Sequence, residues 1–125
     1  MNIPNLSQKS ISVVVPVYNA EGNLTLLYSR IVNVLDTICD EFEIILVEDH
    51  GDDGSWSVIE SLSRNDARVV GIKLSRNFGQ HNALLCGIRN AKFQLTVTLD
   101  DDLQNPPEEI PKLLEPIINN GADMV

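Results

Sequence analysis

Three consecutive carboxylates, Asp100-Asp101-Asp102, follow a short apolar run and are the residues of this chain best suited to chemistry. Carboxylates crowded at the end of a buried strand repel one another, an arrangement that makes sense when a cation neutralises them. Hard oxygen donors select Mg2+ or Mn2+, which are commonly shared between one or two carboxylates and the phosphates of a substrate. The plainer alternative is a solvated acidic turn that complements the start of the next helix. Neighbouring motifs tip the balance. Pro16-Val17-Tyr18-Asn19, Glu48-Asp49-His50-Gly51-Asp52-Asp53-Gly54 and Ser75-Arg76-Asn77-Phe78-Gly79 each end another apolar run. Polar chemistry at all these strand ends favours a site in which a cation sits beside a bound ligand.

The single residues are less specific. Asp49, where a strand gives way to a loop, suits a hydrogen bond from a base N–H or a plain turn cap. Asn77-Phe78-Gly79 suits a phosphate resting on backbone N–H groups, or an ordinary tight turn. His81 reads as a half-buried packing residue ahead of a catalytic one. Asp49, Asp53, Gly54 and Glu60 also fit positions of a calcium-binding EF-hand loop. Gly51 stands where that loop needs Asp or Asn, and the segment before it reads as a strand instead of a helix.

The elements that must position these groups alternate. Residues 11–17, 42–47, 69–74 and 95–99 are nearly continuous apolar runs rich in Val and Ile, as expected of strands buried on both faces of a parallel sheet. Between them Leu24, Leu27, Ile31, Leu35 and Ile38 recur at helical spacing, as do Trp56, Ile59 and Leu62, then Leu84, Ile88 and Ala91. Ile110, Leu113, Leu114 and Ile117 mark a fourth helix, opened by Pro106-Pro107-Glu108. Asp53-Gly54-Ser55 offers capping side chains to the second helix. The pattern predicts an α/β domain, a Rossmann-like parallel sheet flanked by helices, whose ligands bind beyond the carboxyl ends of the strands. Residues 1–10 read as a tail and 11–125 as one domain; Gly121-Ala122-Asp123-Met124-Val125 reads as a helix stop and the start of a fifth strand, as if the domain were cut there.

Composition narrows the partners. The 125 residues carry 18 acidic and 9 basic side chains, a net charge of −9, which argues against nucleic acid. A phosphate-bearing ligand stays open if a divalent cation bridges it to the carboxylates. Cys39 and Cys86 each stand alone in an apparent helix and read as reduced thiols. There is no signal-peptide pattern and no apolar run near the roughly 18 residues of a membrane span, so the chain is expected to be cytoplasmic.

Val13-Val14-Val15-Pro16-Val17-Tyr18-Asn19, the acidic loop ending Asp53-Gly54-Ser55, and Asp100-Asp101-Asp102 together resemble the successive motifs of family 2 glycosyltransferases of the GT-A fold. Ser75-Arg76-Asn77-Phe78-Gly79 and residues 102–108 are similar to the branch that moves a sugar onto a polyprenyl phosphate. That branch includes dolichyl-phosphate mannosyltransferases and bacterial undecaprenyl-phosphate sugar transferases. Gly79-Gln80-His81 and residues 103–111 are especially similar to its lipid A-modifying 4-deoxy-4-formamido-arabinose transferases.

The resemblance implies an inverting transferase whose donor is a nucleoside-diphosphate sugar and whose acceptor is a polyprenyl phosphate, with 11–125 as the donor half. Pro16 and Tyr18 would line the nucleobase pocket, Asp49 would bond the base, and Asp100 and Asp101 would lie against the donor. Asp102 and Gln104 would hold Mg2+ or Mn2+, with Asp100 and Asp102 the catalytic pair. The complete protein would work at the cytoplasmic face of the inner membrane. Ala20 before Glu21, His50-Gly51 in the acidic loop, and Asp101 depart from the family pattern. A family 2 enzyme that elongates a glycan is the nearest alternative. A non-catalytic metal or nucleotide module, such as a phospho-receiver, is the alternative of another class, although that fold needs its acidic pair after the first strand, where Pro16 to Asn19 stand.

Overall fold

The computed structural model describes residues 6–104 and 106–112. Strand β1 (Leu6–Val17) leads through helix α1 (Leu24–Ile38) to β2 (Cys39–Glu48), and α2 (Ser55–Asn65) leads to β3 (Val69–Lys73). Helix α3 (Gln80–Asn90) precedes β4 (Leu95–Thr98), and a 3-10 turn (Pro107–Glu109) runs into helical residues 110–112. The four strands are parallel in the order β3-β2-β1-β4. The chain therefore builds outward from β1 to β3, then crosses back to lay β4 on β1's other side. The strand order therefore reverses between β1 and β4, the kind of place where a parallel sheet opens a crevice at its carboxyl ends.

Burial on both faces explains the unbroken apolar runs. Val13, Val15, Val17, Ile44 and Leu46 pack in the same core as Leu24, Leu27, Ile31 and Leu35 of α1 and Ile59 of α2. The alternate residues Val14, Ile45 and Val47 face Ala83 and its neighbours on α3. Each fully buried aliphatic side chain contributes about 1.5–3 kcal/mol relative to exposure. Gly87 lets α3 approach: a Cβ there would collide with the Val14 side chain.

Some boundaries differ from the sequence expectation. β1 starts at Leu6, within the expected tail, with a register break between Leu6 and Ser10. Cys39 opens β2 instead of sitting in a helix, because α1 ends at Ile38 and the strand follows without a loop. Leu113, Leu114, Ile117 and the expected fifth strand lie outside the described residues.

The loop after β2 is tied to the loop after β1. Gly51 N–H donates to Glu48 Oε2 (2.6 Å), Asp52 N–H to Asn19 Oδ1 (2.7 Å) and Gly54 N–H to Glu21 Oε1 (3.0 Å). In return Glu21 N–H donates to Asp53 Oδ2 and Ala20 N–H to Ser55 Oγ, both at 3.0 Å. Asn19 and His50 hold φ of 50° and 55°, and Gly51 lies so close that a Cβ there would displace the Asn19 side chain. The calcium-loop reading fails here: β2 stands where an EF-hand needs a helix. Helix α2 is capped from one residue early, with Asp53 Oδ1 accepting the Ser55 N–H at 3.0 Å.

At the opposite end of the sheet, buried Ser12 donates to buried Glu43 (2.6 Å), which also accepts the Lys92 N–H (2.8 Å). Asp66 gathers Tyr28 Oη–H at 2.5 Å and Arg68 Nε–H and Nη2–H at 2.9 Å each, tying α1 to the start of β3. The Arg68 guanidinium holds the Asp66 carboxyl far below the ordinary carboxylate range, burial opposing and Tyr28 assisting.

Candidate active site

A cleft of about 360 Å3 opens at the carboxyl ends of the strands. The end of β1 lends it Pro16, Val17 and Tyr18, the end of β2 Asp49, and the loop before α3 Asn77 and Gly79. Gln80 at the start of α3 and Asp100, Asp101 and Asp102 beyond β4 complete the wall. Asp49 and Asp102, 53 positions apart by their numbers (102 − 49), thus share one cavity.

Hydrogen bonds fix this wall. Tyr18, 49% exposed, donates its backbone N–H to Asp101 Oδ2 at 2.8 Å. Asp49, 3% exposed, accepts the Phe78 N–H at 2.8 Å through Oδ1, while its own N–H pairs with Val17 O. Gln80 Nε2–H donates to Asp100 Oδ1 at 3.0 Å, and Gln104 N–H to Asp102 Oδ1 at 3.1 Å. Leu103 between them takes φ of 64°, which turns the chain sharply after the acidic triplet. Burial raises the Asp101 pKa, with the charges of Asp102 and Asp100 adding to the rise and the Tyr18 N–H opposing it. A cation entering the cleft would meet a strongly negative field.

Residues 12–125 match the family model described as glycosyl transferase family 2. The chain belongs to that family. Family 2 relatives include the undecaprenyl-phosphate 4-deoxy-4-formamido-L-arabinose transferase of Aeromonas hydrophila, 44% identical over 122 residues, or 97% of this chain. The chain spans 37% of that relative's length. Among solved structures, the S. aureus TarS fragment 1–349 superposes on 90% of this chain and a third (33%) of its own, with a TM-score of 0.71 and 23% identity, a likeness of fold. The same fragment in complex with UDP-GlcNAc gives 0.64 and 26% identity over 74% of this chain and 26% of its own. The Pyrobaculum calidifontis mannosyltransferase in complex with GDP-Man and Mn2+ shares the fold at TM-score 0.64 and 21% identity, over 74% of this chain and 27% of its own. The sheet and its helices are those of a GT-A glycosyltransferase.

For this family 2 chain, the cleft brings together Pro16, Tyr18, Asp49, Asp100, Asp101 and Asp102, all singled out in the sequence. Gln104 is not in the lining; it is exposed and meets Asp102 through its backbone. The N–H groups of Phe78 and Gly79 are engaged by Asp49 and by Asn77 Oδ1, so they form no waiting phosphate cradle. His81 is exposed and outside the cleft lining. Gln80 is the lining residue the sequence reading gave no role. Its signal was its place in the Gly79-Gln80-His81 motif, directly after a glycine whose φ of 93° starts α3 at the crevice.

The acidic end fits a divalent ion of a particular kind. Among the described residues, no three His, Cys, Asp or Glu side chains converge as a ready-made cage. Mg2+ and Mn2+ do not need one, since one or two carboxylates suffice when substrate phosphates complete the shell. The hard oxygens at the cleft's acidic end match that donor set.

Proposed function

We propose that this chain is the donor-binding part of an inverting glycosyltransferase that moves a sugar from a nucleoside-diphosphate sugar to a polyprenyl phosphate. The observation that carries the reading is the single cleft at the β1/β4 switch point, which joins Asp49 at one side to Asp100 and Asp102 at the other. Tyr18 offers a half-exposed ring and Pro16 a flat apolar neighbour for a nucleobase. One Asp49 oxygen is held by Phe78. Asp49 lines the cleft, where its second oxygen would accept a base N–H.

Asp100 would stand by the ribose and diphosphate. Asp102, joined by Gln104 through a side-chain rotation, would hold Mg2+ or Mn2+. The ion, when bound, acts as a Lewis acid on the departing nucleoside diphosphate. Asp100, kept in place by Gln80, and Asp102 are the residues assigned to catalysis. An acceptor phosphate is already an anion, so direct displacement needs no strong general base. The name of the Aeromonas hydrophila relative, at 44% identity, supports an undecaprenyl phosphate acceptor; a role in lipid A modification belongs to the same proposal. The bound UDP-GlcNAc of the TarS fragment supports a nucleotide-sugar donor. A polyprenyl acceptor resides in a membrane, so we assign the complete protein to the cytoplasmic face of the inner membrane. No helix among the described residues is long and apolar enough to cross it.

The test is thermal stability of the chain with UDP- and GDP-sugars, with and without Mn2+, since a ligand stabilises the state it binds. A rise in Tm that requires the metal and disappears in Asp102→Ala is expected. An undiminished rise in that variant counts against the assignment.

A further inference from the structure

We propose that Asp101 is a positioning residue: through the Tyr18 backbone N–H it sets the shape of the nucleoside end of the cleft, and it touches neither cation nor donor. The inference rests on the donor-site reading above and replaces the place against the donor that the sequence resemblance implied for Asp101 with an indirect one.

The bond falls where the sheet runs out. Residues of β1 and β4 pair from Ile11↔Leu95 to Val14↔Thr98, and the Leu99 N–H to Val14 O bond (3.0 Å) extends the ladder one step. Beyond it β1 is still paired on its other side, through Val17↔Glu48 and the Asp49 N–H to Val17 O bond. Its β4 side has parted to form the cleft. Pro16 has no N–H to offer there. Tyr18 donates instead to the Asp101 carboxylate at 2.8 Å, a link between residues 83 apart in sequence. Among the described residues this bond spans the crevice that backbone pairing has abandoned.

The residues around Tyr18 explain why one bond can matter. Asn19, next in the chain, holds φ of 50° and has its side chain on the Asp52 N–H. Tyr18 is thus gripped from behind by a constrained loop and from in front by Asp101. Tyr18 itself is half-exposed. The direction of the ring then depends on the backbone from which it projects, and Asp101 fixes that backbone.

A competing role, that Asp101 lends its charge to the cation, differs in what an amide can replace. Asn keeps a side-chain acceptor for the Tyr18 N–H and loses the charge; Ala loses both. Binding of UDP and of GDP with Mn2+ would be measured by calorimetry for wild type, Asp101→Asn and Asp101→Ala, with Tyr18 amide exchange followed by NMR. Asp101→Ala should bind the nucleotide about tenfold more weakly, with the Tyr18 amide exchanging faster. Asp101→Asn should stay within about threefold of wild type and keep the amide protected. At saturating nucleotide, the half-saturating Mn2+ concentration should not move in either variant. An Asn variant as weak as the Ala variant, or a shifted Mn2+ requirement, overturns the proposal in favour of a cation ligand. An Ala variant that binds like wild type also overturns it. Failure of the donor-site reading looks different: wild type itself would bind neither nucleotide, and the positioning role would fall with it.

Discussion

Asp49 and Phe78 are joined by a 2.8 Å hydrogen bond, so a nearly buried carboxylate in the cleft wall also fastens the loop that leads into α3. Two consequences can be separated by substitution. Asp49→Ala leaves the Phe78 N–H without its acceptor and should cost about 1–3 kcal/mol of stability. Asp49→Asn keeps an acceptor for Phe78 and should restore most of that loss in urea unfolding. If Asp49 binds the base as proposed, nucleotide binding should not recover with it, because the charge is gone; a drop of about tenfold is expected in both variants. Calorimetry with UDP and GDP checks this, and an Asn variant that binds like wild type would confine Asp49 to the loop.

The Asp66 cluster predicts how stability responds to acid. Arg68 and Tyr28 depress the Asp66 pKa in the folded chain, so the carboxylate binds its proton more readily when unfolded. Its stabilisation is therefore fully present above the unfolded value of about 3.9 and is lost as pH falls towards the lower folded value. Asp66→Asn should cost about 1–3 kcal/mol at pH 7. The gap between wild type and variant should shrink steadily below about pH 4. Urea midpoints across that range measure it; a gap that stays constant to low pH would contradict the charged cluster.

The sheet and the gathering of its strand ends in one cleft were readable for a simple reason. Strands buried on both faces must be apolar throughout, so residues such as Val13 and Val14 announce themselves although they face different helices. Ligand chemistry at strand ends then follows from topology, which is why Tyr18, Asp49 and Asp102 could be named together. Pairings between distant segments left no such trace. Gln80 on Asp100, Asp101 on Tyr18 and Glu43 on Ser12 depend on how crossovers dock, which no local pattern encodes. Cys39 was misplaced because helical spacing continues to Ile38 and no Gly or Pro separates α1 from β2. Asp53-Gly54-Ser55 was read as a helix cap; it also receives the N–H groups of Glu21 and Ala20, a task that needs the first loop in place.

The two thiols should differ in reactivity. Burial, helped by the nearby charges of Asp40 and Asp36, pushes the Cys39 pKa up to about 11, and only 8% of the residue is exposed. Its thiolate fraction at pH 8 is then on the order of one in a thousand. Cys86 on α3 is half-buried and reachable. A chromogenic disulfide reagent at pH 8 should modify one thiol promptly in the native chain and both in denaturant. Cys86→Ser should remove the prompt phase; if that phase persists, Cys39 is more accessible than its packing implies.

Two glycines predict opposite signs for the same substitution. Gly87 faces the sheet from α3, where a Cβ would strike Val14 and lie 3.1 Å from Val47 Cγ2. Ala is favoured over Gly in a helix by about 1 kcal/mol, yet overpacking a tight core costs about 1–3 kcal/mol. The obstacle is a fully buried β-branched side chain with little room to retreat, so Gly87→Ala should be net destabilising. Gly22, by contrast, has nothing within 4 Å of its would-be Cβ and no left-handed φ. Gly22→Ala should be neutral or raise stability by up to about 1 kcal/mol, by restricting the unfolded chain. Thermal unfolding of both variants measures the contrast. A Gly87→Ala chain as stable as wild type would mean that α3 stands farther from β1 than Val14 allows. Gln80, which α3 carries to Asp100, would then be displaced from the cleft as well.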